Sequence, residues 1–351
     1  MTKVAVVLFN LGGPDGPDAV QPFLFNLFND PAIIDIPKPI RWLLAQFISR
    51  KRAPIAKEIY GHLGGKSPLL ELTEAQAKAI QKKLNSGPED YRVFTAMRYW
   101  HPMSAETAQK VKEFEPDEIV LLPLYPQYST TTTGSSLWAW QQAAAKAGLF
   151  APTFAPCCYA THDGVIDAQV DLIKNTLAQH PLPGQNLSGP VRVLFSAHGL
   201  PKKVIAAGDP YQWQVEQTAA AVAAKMGNAV NDWAVCYQSR VGPLEWIGPS
   251  LEQELERAAA EFVAVVIVPI AFVSEHSETL VELDIEYKNV AEKLGVPGYV
   301  RVPALGTHET FITGLAQVVT SARDKNATLE PSINWALCRS QHACCPRGRP
   351  L

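Results

Sequence analysis

Short apolar runs alternate along this chain with longer segments in which apolar residues recur every three or four positions. The short runs predict β-strands, and the longer spacing predicts amphipathic helices. The predicted strands are Val4 to Leu11, Arg92 to Arg98, Ile119 to Tyr125, Thr153 to Cys157, Val191 to His198, Trp233 to Tyr237, Val263 to Phe272 and Tyr299 to Ala304. The predicted helices are Thr73 to Leu84, Ser104 to Phe114, Leu137 to Ala147, Ala168 to Ala178, Tyr211 to Met226, Ser250 to Glu261, His276 to Leu294 and Glu309 to Arg323. This alternation is typical of an α/β fold, and this number of strands suggests two parallel sheets rather than one.

A polar run, QYSTTTTGSS, follows one of the predicted strands and marks the best domain boundary, near Gln127 to Ser135. It divides the chain into a first domain of residues 1–127 and a second domain of residues 128–304. We expect the last helix, about residues 305–330, to return to the first domain, which leaves residues 331–351 as a C-terminal extension. A length of 351 residues suits two hydrophobic cores.

Charge and terminal sequence exclude several classes of protein. A net charge of −3 provides no basic surface for a polyanion, so nucleic acid is not expected as a partner. The glycine-rich segment NLGGPDGP (Asn10 to Pro17) matches neither common phosphate-loop pattern, so no nucleotide cofactor is predicted. The N-terminus has no secretory or transit pattern, and every apolar run is shorter than about 18 residues. We therefore expect a cytoplasmic protein without a membrane-spanning segment.

Three glutamates in the segment FVSEHSETLVELDIEY, namely Glu278, Glu282 and Glu286, are spaced at i, i+4 and i+8. In a helix this spacing forms one acidic stripe, and like charges four residues apart destabilise an isolated helix. Such stripes are usually solvated faces. This stripe, however, directly follows Val263 to Phe272, which is apolar enough to be a buried parallel strand. Because ligands of open α/β sheets bind beyond the carboxyl ends of such strands, we expect a functional site here.

Three further segments follow predicted strands in the same way. SAHGLP places His198 at the end of a strand, and this location favours a functional role although a lone histidine is more often structural. YPQYSTTTTGSS follows a second strand. YQSRVGPLEWIGPS follows a third and contains Trp246, whose side chain is suited to lie against a flat ligand.

Together these motifs resemble the ferrochelatases, enzymes that insert ferrous iron into protoporphyrin IX in the last step of haem synthesis. The resemblance spans nearly the whole chain, from LFNLGGP through RYWHP, LYPQYSTTTTGSS, SAHGLP and CYQSRVGPLEWIGP to HSETLVELDIEY. It implies two Rossmann-like domains, each with a roughly four-stranded parallel sheet flanked by helices, around a porphyrin cleft. It also implies a lyase whose substrates are Fe²⁺ and protoporphyrin IX.

The resemblance makes His198 and Glu278 the catalytic pair at the metal. A neutral imidazole can bind Fe²⁺ or accept a pyrrole proton, and a paired carboxylate stabilises the imidazolium that results. Glu282 and Glu286 would extend this pair as a carboxylate route for protons or metal. His276 would support them from the side.

The residues that the resemblance puts around the macrocycle are Leu11, Arg52, Tyr60, Ser67, Arg98, Tyr99, Tyr125 and Trp246. Arg52 is matched to a propionate-binding arginine, in keeping with the bidentate geometry of guanidinium and carboxylate. Leu11 stands where the coproporphyrin-using enzymes of Gram-positive bacteria carry tyrosine, which favours protoporphyrin as the substrate.

The segment from Ile33 to Pro54 mixes apolar residues with a basic end and matches the family's lip over the pocket. By itself this pattern describes an ordinary amphipathic helix. Because protoporphyrin is poorly soluble, a lip that touches a bilayer surface would suit the substrate, and we expect peripheral membrane association at most. No oligomeric state is predicted.

The cysteines suggest a second metal site. They are Cys157, Cys158, Cys236, Cys338, Cys344 and Cys345. The last three lie within the final fourteen residues, a metal-site pattern, and some ferrochelatases hold a [2Fe-2S] cluster with three cysteines of such an extension and one from the body. The animal form takes its body ligand from the YPQYS loop, where this chain has Thr130, so Cys158 or Cys157 is the candidate here. There are two alternatives. In the first, the thiols are reduced and bind no metal, and in the second, the same thiolates bind zinc.

Two other functions compete with iron insertion. The first is a chelatase of the same fold that uses another tetrapyrrole, such as coproporphyrin III, or another metal, such as Co²⁺, since a His/Glu site does not rank Fe²⁺ first by affinity. The second is a non-catalytic haem or iron carrier. A carrier needs neither a base at the metal nor an acidic relay, so His198, Glu278 and Glu282 together argue against it.

Overall fold

The computed structural model describes residues 1–180, 182, 191–240, 242 and 244–323. Within these residues the chain forms two compact units, each built on one four-stranded sheet. Residues 1–125, 129–156 and 315–323 form the first unit, and residues 126–128 and 157–314 belong to the second.

The first sheet contains four parallel strands in the order β2, β1, β3, β4. They are β1 (Lys3–Asn10), β2 (Asp90–Met97), β3 (Glu118–Pro123) and β4 (Thr153–Phe154). All residues of β1 after Lys3 are buried, which explains the continuous apolar run in the sequence.

The second sheet repeats this topology, with the order β6, β5, β7, β8 and all pairings parallel. Its strands are β5 (Val191–His198), β6 (Trp233–Gln238), β7 (Ala264–Pro269) and β8 (Tyr299–Arg301). Every residue of β7 is buried. The predicted α/β fold with two parallel sheets of about four strands each is therefore confirmed.

Helices connect the strands in both units. Those before β5 are α1 (Val20–Phe28), α2 (Lys38–Gly61), α3 (Leu69–Leu84), α4 (Ser104–Phe114), α5 (Ser135–Ala147) and α6 (Asp163–Gln179). Those after β5 are α7 (Lys202–Ala206), α8 (Tyr211–Met226), α9 (Leu251–Ala260), α10 (Lys288–Leu294) and α11 (Glu309–Arg323). Two π-helices, Thr130–Gly134 and Glu278–Tyr287, precede α5 and α10. None of the described helices is both long and apolar enough to cross a membrane.

The segment of residues 129–156 lies in the first unit, whereas the sequence analysis assigned it to the second domain. Two contacts explain the difference. Thr153 of β4 pairs with Ile119 of β3, and Trp140 of α5 packs against Phe9 of β1 with ring centroids 5.9 Å apart. The polar run that suggested a boundary is thus followed by one more helix and one more strand of the first unit.

Within the second unit, the backbone of α6 closely approaches the first residues of α11, 309–314. A Cβ atom added at Gly164 would lie 2.6 Å from the Cα of Gly314 and 3.0 Å from the carbonyl oxygen of Thr310. These atoms belong to the backbone and cannot rotate away. The two glycines therefore allow an approach that larger side chains would prevent.

Candidate active site

The candidate site lies at the carboxyl edge of the second sheet. β5 ends at His198, β6 ends at Gln238, and β7 leads through a short loop to the π-helix Glu278–Tyr287. In the order β6, β5, β7, β8 the chain runs outward from β5 in both directions, so the switch point of the sheet lies between β5 and β7. Ligands of such sheets bind at this point, and His198 stands beside it.

The segment that carries the acidic stripe is a π-helix and not the predicted α-helix. A π-helix closes its hydrogen bonds from i to i+5 and is frequently found at functional sites. The apolar spacing of the segment does not distinguish the two forms, because both bury one face. In this helix Glu278 and Glu282 are partly buried, whereas Glu286 is exposed to solvent.

His198 and Glu278 form a direct pair. The Nδ1 atom of His198 lies 2.8 Å from Oε2 of Glu278, and the two side chains are 40% and 23% exposed. When the carboxylate accepts a hydrogen bond from Nδ1–H, the lone pair of the neutral imidazole is on Nε2. The pair therefore leaves one ring nitrogen able to accept a proton or bind a metal.

Gln238, the last residue of β6, and Ser239, which follows it, connect this pair to Glu282. The hydroxyl of Ser239 lies 2.5 Å from Oε2 of Glu282 and 3.2 Å from Oε2 of Glu278. The backbone N–H of Ser239 donates to Oε1 of Glu282, and the side-chain amide of Gln238 donates to Oε2 of Glu282 and to the carbonyl of Glu278. Ser239 has a φ of 60°, a left-handed conformation that is unusual for serine.

The number of protons available limits the hydrogen bonds among Ser239, Glu278 and Glu282. A hydroxyl has one proton, so Ser239 can donate to only one of the two carboxylates at a time. The second contact is satisfied when a carboxyl proton is donated to the serine oxygen. Glu282, Ser239 and Glu278 thus form a chain through which one proton can be passed toward His198.

The electrostatics agree with this arrangement. Burial lowers the pKa of His198, but the carboxylates of Glu278 and Glu282 outweigh it and leave the pKa above its usual value. Burial raises the pKa of Glu278, and the charge of His198 with its hydrogen bond reverses this and lowers it. Burial, followed by the charge of Glu278, raises the pKa of Glu282. Of the two carboxyl groups, Glu282 therefore has the higher pKa and releases its proton at higher pH.

Ser239 and Gln238 were not singled out from the sequence, although the motif CYQSRVGPLEWIGP contains both. Their position at the carboxyl end of a strand is the same signal that identified His198. The serine was missed because its partners lie some forty residues further along the chain.

His276 and Trp246 lie near the pair in the same unit. The ring of His276 packs against Phe272, with centroids 4.8 Å apart, and burial lowers its pKa. Trp246 forms an isolated bridge with Pro201. A Cβ atom added at Gly199 would lie 3.4 Å from the Trp246 ring and 3.0 Å from the carbonyl oxygen of Gln238, so the residue after His198 must be small.

In the first unit, Arg98 and Tyr99 belong to a buried network centred on Asp30. Oδ2 of Asp30 accepts hydrogen bonds from Nη2 of Arg98 at 2.7 Å, from the hydroxyl of Tyr99 at 2.7 Å and from the hydroxyl of Ser135 at 2.5 Å. Nε of Arg98 donates to the same serine at 2.6 Å. Asp30 was not identified from the sequence. Tyr99 is fully buried, and its ring centroid lies 4.9 Å from the guanidinium carbon of Arg98.

The comparisons with known proteins decide the family. A family model described as "Ferrochelatase" matches residues 3–323. The chain belongs to the ferrochelatase family. A protein of Caulobacter vibrioides named "Ferrochelatase" is 53% identical over 347 residues, which cover 98% of this chain and 97% of that protein. One of Pelagibacter ubique with the same name is 49% identical and covers 98% of each chain.

Solved structures agree with the fold. SirB from Bacillus subtilis with Fe³⁺ superposes with a TM-score of 0.54 at 10% identity, covering 92% of this chain and 96% of that one. CbiX, described as the terminal enzyme of sirohaem biosynthesis in denitrifying bacteria, gives a TM-score of 0.50 at 14% identity, covering 91% and 99%. At these identities the likeness concerns the fold alone. The resemblance to ferrochelatases and the enzyme class read from the sequence motifs are confirmed by the family match.

The remaining ferrochelatase motif residues of the first unit are distributed over several elements. Leu11 follows β1 and is partly exposed, and Tyr125 follows β3. Tyr60, near the end of α2, and Ser67, before α3, are largely buried. Arg52, on α2, lies with its guanidinium 5.8 Å from the Phe28 ring centroid.

Only some of the residues that the sequence predicts to bind metal lie in the part of the chain that the structure describes. No group of three or more His, Cys, Asp or Glu side chains arranged to hold a metal occurs in the part of the chain that the structure describes. Cys338, Cys344 and Cys345 lie outside the described residues. Cys157 is partly exposed and Cys158 is buried, both on the loop between β4 and α6, while Cys236 is buried on β6 as expected for a core residue.

Proposed function

We propose that this protein inserts Fe²⁺ into protoporphyrin IX, with His198 and Glu278 as the pair that handles the metal and the first proton. The observation that carries the proposal is the 2.8 Å contact between these side chains at the switch point of a sheet, in a chain of the ferrochelatase family. Insertion requires the porphyrin to lose two N–H protons and the iron to lose bound water. A histidine and a carboxylate can serve both needs.

In the proposed reaction, Nε2 of His198 accepts a pyrrole proton. The imidazolium that forms is stabilised by the Glu278 carboxylate at Nδ1. Before Nε2 is protonated, the neutral imidazole of His198 and the carboxylate of Glu278 are also the candidate iron ligands. This role is supported by their partial exposure, since a fully enclosed pair could not reach a substrate.

Glu282 continues the route away from the pair, through Ser239. Its raised pKa suits a group that holds and releases a proton while Glu278 stays ionised. Burial lowers the pKa of His276 beside them, which favours its neutral form. Glu286 is the outermost member, and its exposure suits exchange of protons with solvent.

The test of the function is anaerobic incubation of the protein with Fe²⁺ and protoporphyrin IX. Loss of porphyrin fluorescence with the appearance of haem absorbance is expected for the wild type. His198→Ala should be slower by about 100-fold or more, since a positioned base contributes at least that factor. His180→Ala is the matched control, because His180 is an exposed residue at the end of α6. Equal rates in His198→Ala and His180→Ala would sink the assignment.

Porphyrin binding by the first unit is the second part of the proposal. The candidates in the first unit are Leu11, Arg52, Tyr60, Ser67, Arg98, Tyr99 and Tyr125, and the candidate in the second unit is Trp246. Arg98 is supported by the Asp30 network, which fixes its guanidinium and so lowers the entropy lost on binding. Protoporphyrin is the proposed substrate because of Leu11. The kcat/KM values for protoporphyrin IX and coproporphyrin III, measured side by side, should favour the former, and the reverse order would refute this choice.

Peripheral membrane contact through α2 is the third part. Several large apolar side chains of this helix are strongly exposed, among them Ile40, Leu43 and Phe47 at 58%, 64% and 64%. Arg50 and Lys51 follow on the same helix, and a basic, apolar surface suits an anionic bilayer.

Flotation with anionic vesicles tests this contact. Leu43→Ser and Phe47→Ser should bind less than wild type. The control is Phe150→Ser, which removes an apolar side chain that is 84% exposed on the loop before β4. Unchanged binding of the α2 variants, or an equal loss in the control, would remove the role from this helix.

The last part of the proposal is a [2Fe-2S] cluster, held by Cys338, Cys344, Cys345 and either Cys158 or Cys157. Four thiolates are the donor set that such a cluster needs, and no step of iron insertion passes through it. Iron, zinc and acid-labile sulfide should be measured on the purified protein together with its visible spectrum. Loss of sulfide and of the visible bands in Cys338→Ser, but not in Cys236→Ser, is expected. Zinc without sulfide would refute the cluster.

A further inference from the structure

The edge strand β8 supplies two side chains to the π-helix Glu278–Tyr287. The hydroxyl of Tyr299 donates to the carbonyl oxygen of Leu283 at 2.7 Å. Two residues further on, Nε and Nη2 of Arg301 donate to the two carboxylate oxygens of Asp284 at 2.6 and 2.7 Å. Residues two apart on a strand point to the same face, so both side chains reach the same part of the helix.

Arg301 also binds the segment that enters the helix. Its Nη1 atom lies 2.9 and 3.1 Å from the two carboxylate oxygens of Glu275, and one of these oxygens accepts the backbone N–H of Ala304 at 2.9 Å. The Arg301 side chain is only 10% exposed. One buried guanidinium therefore joins a residue three positions before Glu278 to a residue two positions after Glu282.

This double attachment bears on the register of the helix. The sequence from Glu278 to Tyr287 has no proline or glycine and could also form the commoner α-helix, with hydrogen bonds from i to i+4. The change between the two registers alters the rotation of every following side chain. A shift of this kind between Glu275 and Asp284 would move Glu278 away from His198 and Glu282 away from Ser239.

We propose that Arg301, assisted by Tyr299, is a positioning residue for iron insertion that holds the acidic segment in its π-helical register. The proposal rests on the function proposed above for the His198–Glu278 pair. Arginine suits this role because its planar fork binds two carboxylates at once, which the single ammonium group of lysine cannot do in the same geometry.

The chain contains a matched control in Arg192 on β5. Its side chain is 6% exposed, and its Nε atom lies 2.8 and 3.0 Å from the two carboxylate oxygens of Asp232, while Nη2 binds Glu261. Both arginines are therefore buried in the second sheet and bound to two carboxylates. Arg192 lies at the amino end of its strand, about 20 Å from His198 by strand rise, and none of its partners belongs to the π-helix.

The test compares Arg301→Gln with Arg192→Gln in the full chain. Amide hydrogen exchange of residues 278–287 reports the helix directly, and steady-state kinetics with Fe²⁺ and protoporphyrin IX reports its consequence. In Arg301→Gln we expect faster exchange in this segment and a kcat lower by about 100-fold, the effect of a small misplacement of reacting groups. The KM for porphyrin should change little, and Arg301→Lys should restore only part of kcat. Arg192→Gln should lose comparable thermal stability without either effect.

Two results would overturn the proposal. Unchanged exchange of residues 278–287 in Arg301→Gln would show that the guanidinium does not hold the helix. Faster exchange with unchanged kcat would show that the register does not matter for the reaction. If Arg301→Gln does not fold, Tyr299→Phe is tested in its place, because it removes only one hydroxyl. The exchange of residues 278–287 and the kcat of this variant are judged by the same criteria, and smaller changes are expected. Absence of iron insertion in the wild type would refute the proposed function instead, while the exchange experiment would still test the attachment.

Discussion

Replacement of Glu278 by glutamine removes the charge of the active pair while keeping its shape. The carboxylate accepts from Nδ1 of His198 at 2.8 Å. A hydrogen bond to a charged group contributes about 1.5–3 kcal/mol, and a neutral one about 0.5–1.5 kcal/mol, so the substitution removes about 1–1.5 kcal/mol. The His198 side chain is 40% exposed, and solvent screening reduces this figure. Because the carboxylate of Glu278 contributes to the raised pKa of His198, that pKa should fall when the charge is removed.

The direction of the effect on activity follows from the role of His198 as a base. The imidazole accepts a proton only when neutral, so kcat/KM rises as the pH passes upward through the pKa of His198. In wild type the carboxylates raise that pKa, and in Glu278→Gln the rise should occur at lower pH. The plateau should also fall, by up to about 10-fold, because the imidazolium loses at most about 1–1.5 kcal/mol of stabilisation.

The assay is anaerobic iron insertion at saturating and limiting porphyrin between about pH 5 and pH 9, the range in which histidine titrates. Glu106→Gln serves as the control. Glu106 also lies against a histidine ring, with its Oε1 atom 2.5 Å from Nδ1 of His101, but that pair is exposed and belongs to the first unit. A rise in kcat/KM that stays at the wild-type pH, or moves to higher pH, would refute the reasoning.

Three further substitutions test other parts of the structure. Gly164→Ala should lower the free energy of unfolding by about 1–3 kcal/mol in urea titrations, because the new methyl group would meet backbone atoms. Gly61→Ala, with no atom within 4 Å of the new methyl, should be neutral or slightly stabilising, and equal losses would contradict the packing argument. Glu282→Gln should be more stable than wild type at alkaline pH but not in the acid range. The folded-state pKa of Glu282 is raised, so wild-type stability declines as the pH rises from the usual glutamate pKa through the raised one. A constant difference across urea titrations from acid to alkaline pH would argue against this. Asp30→Asn should raise the KM for protoporphyrin more than it lowers kcat, since it loosens Arg98, and should cost about 3 kcal/mol of stability, measured by the same titrations. A fall in kcat alone would contradict the porphyrin-binding role of Arg98.

The sequence determined the architecture because strand and helix patterns are local. Apolar runs such as Ala264–Pro269 are buried on both faces, and a residue at the end of such a run must emerge at the carboxyl edge of a parallel sheet. The local pattern alone therefore predicts where His198 and the segment of Glu278 emerge. It did not assign α5 and β4 to the first unit, because pairing of β4 with β3 depends on residues more than thirty positions apart.

The tertiary structure decided what no local pattern contains. The same apolar spacing fits an α-helix and a π-helix, and the contacts of Arg301 and Tyr299, which come from another strand, bear on which one forms. Ser239 and Asp30 look like ordinary polar residues in the sequence, yet each satisfies several groups brought together only by folding. The sequence therefore determined where the reactive side chains emerge. Their distances, protonation and orientation were decided by long-range hydrogen bonds, because these depend on partners that are distant along the chain.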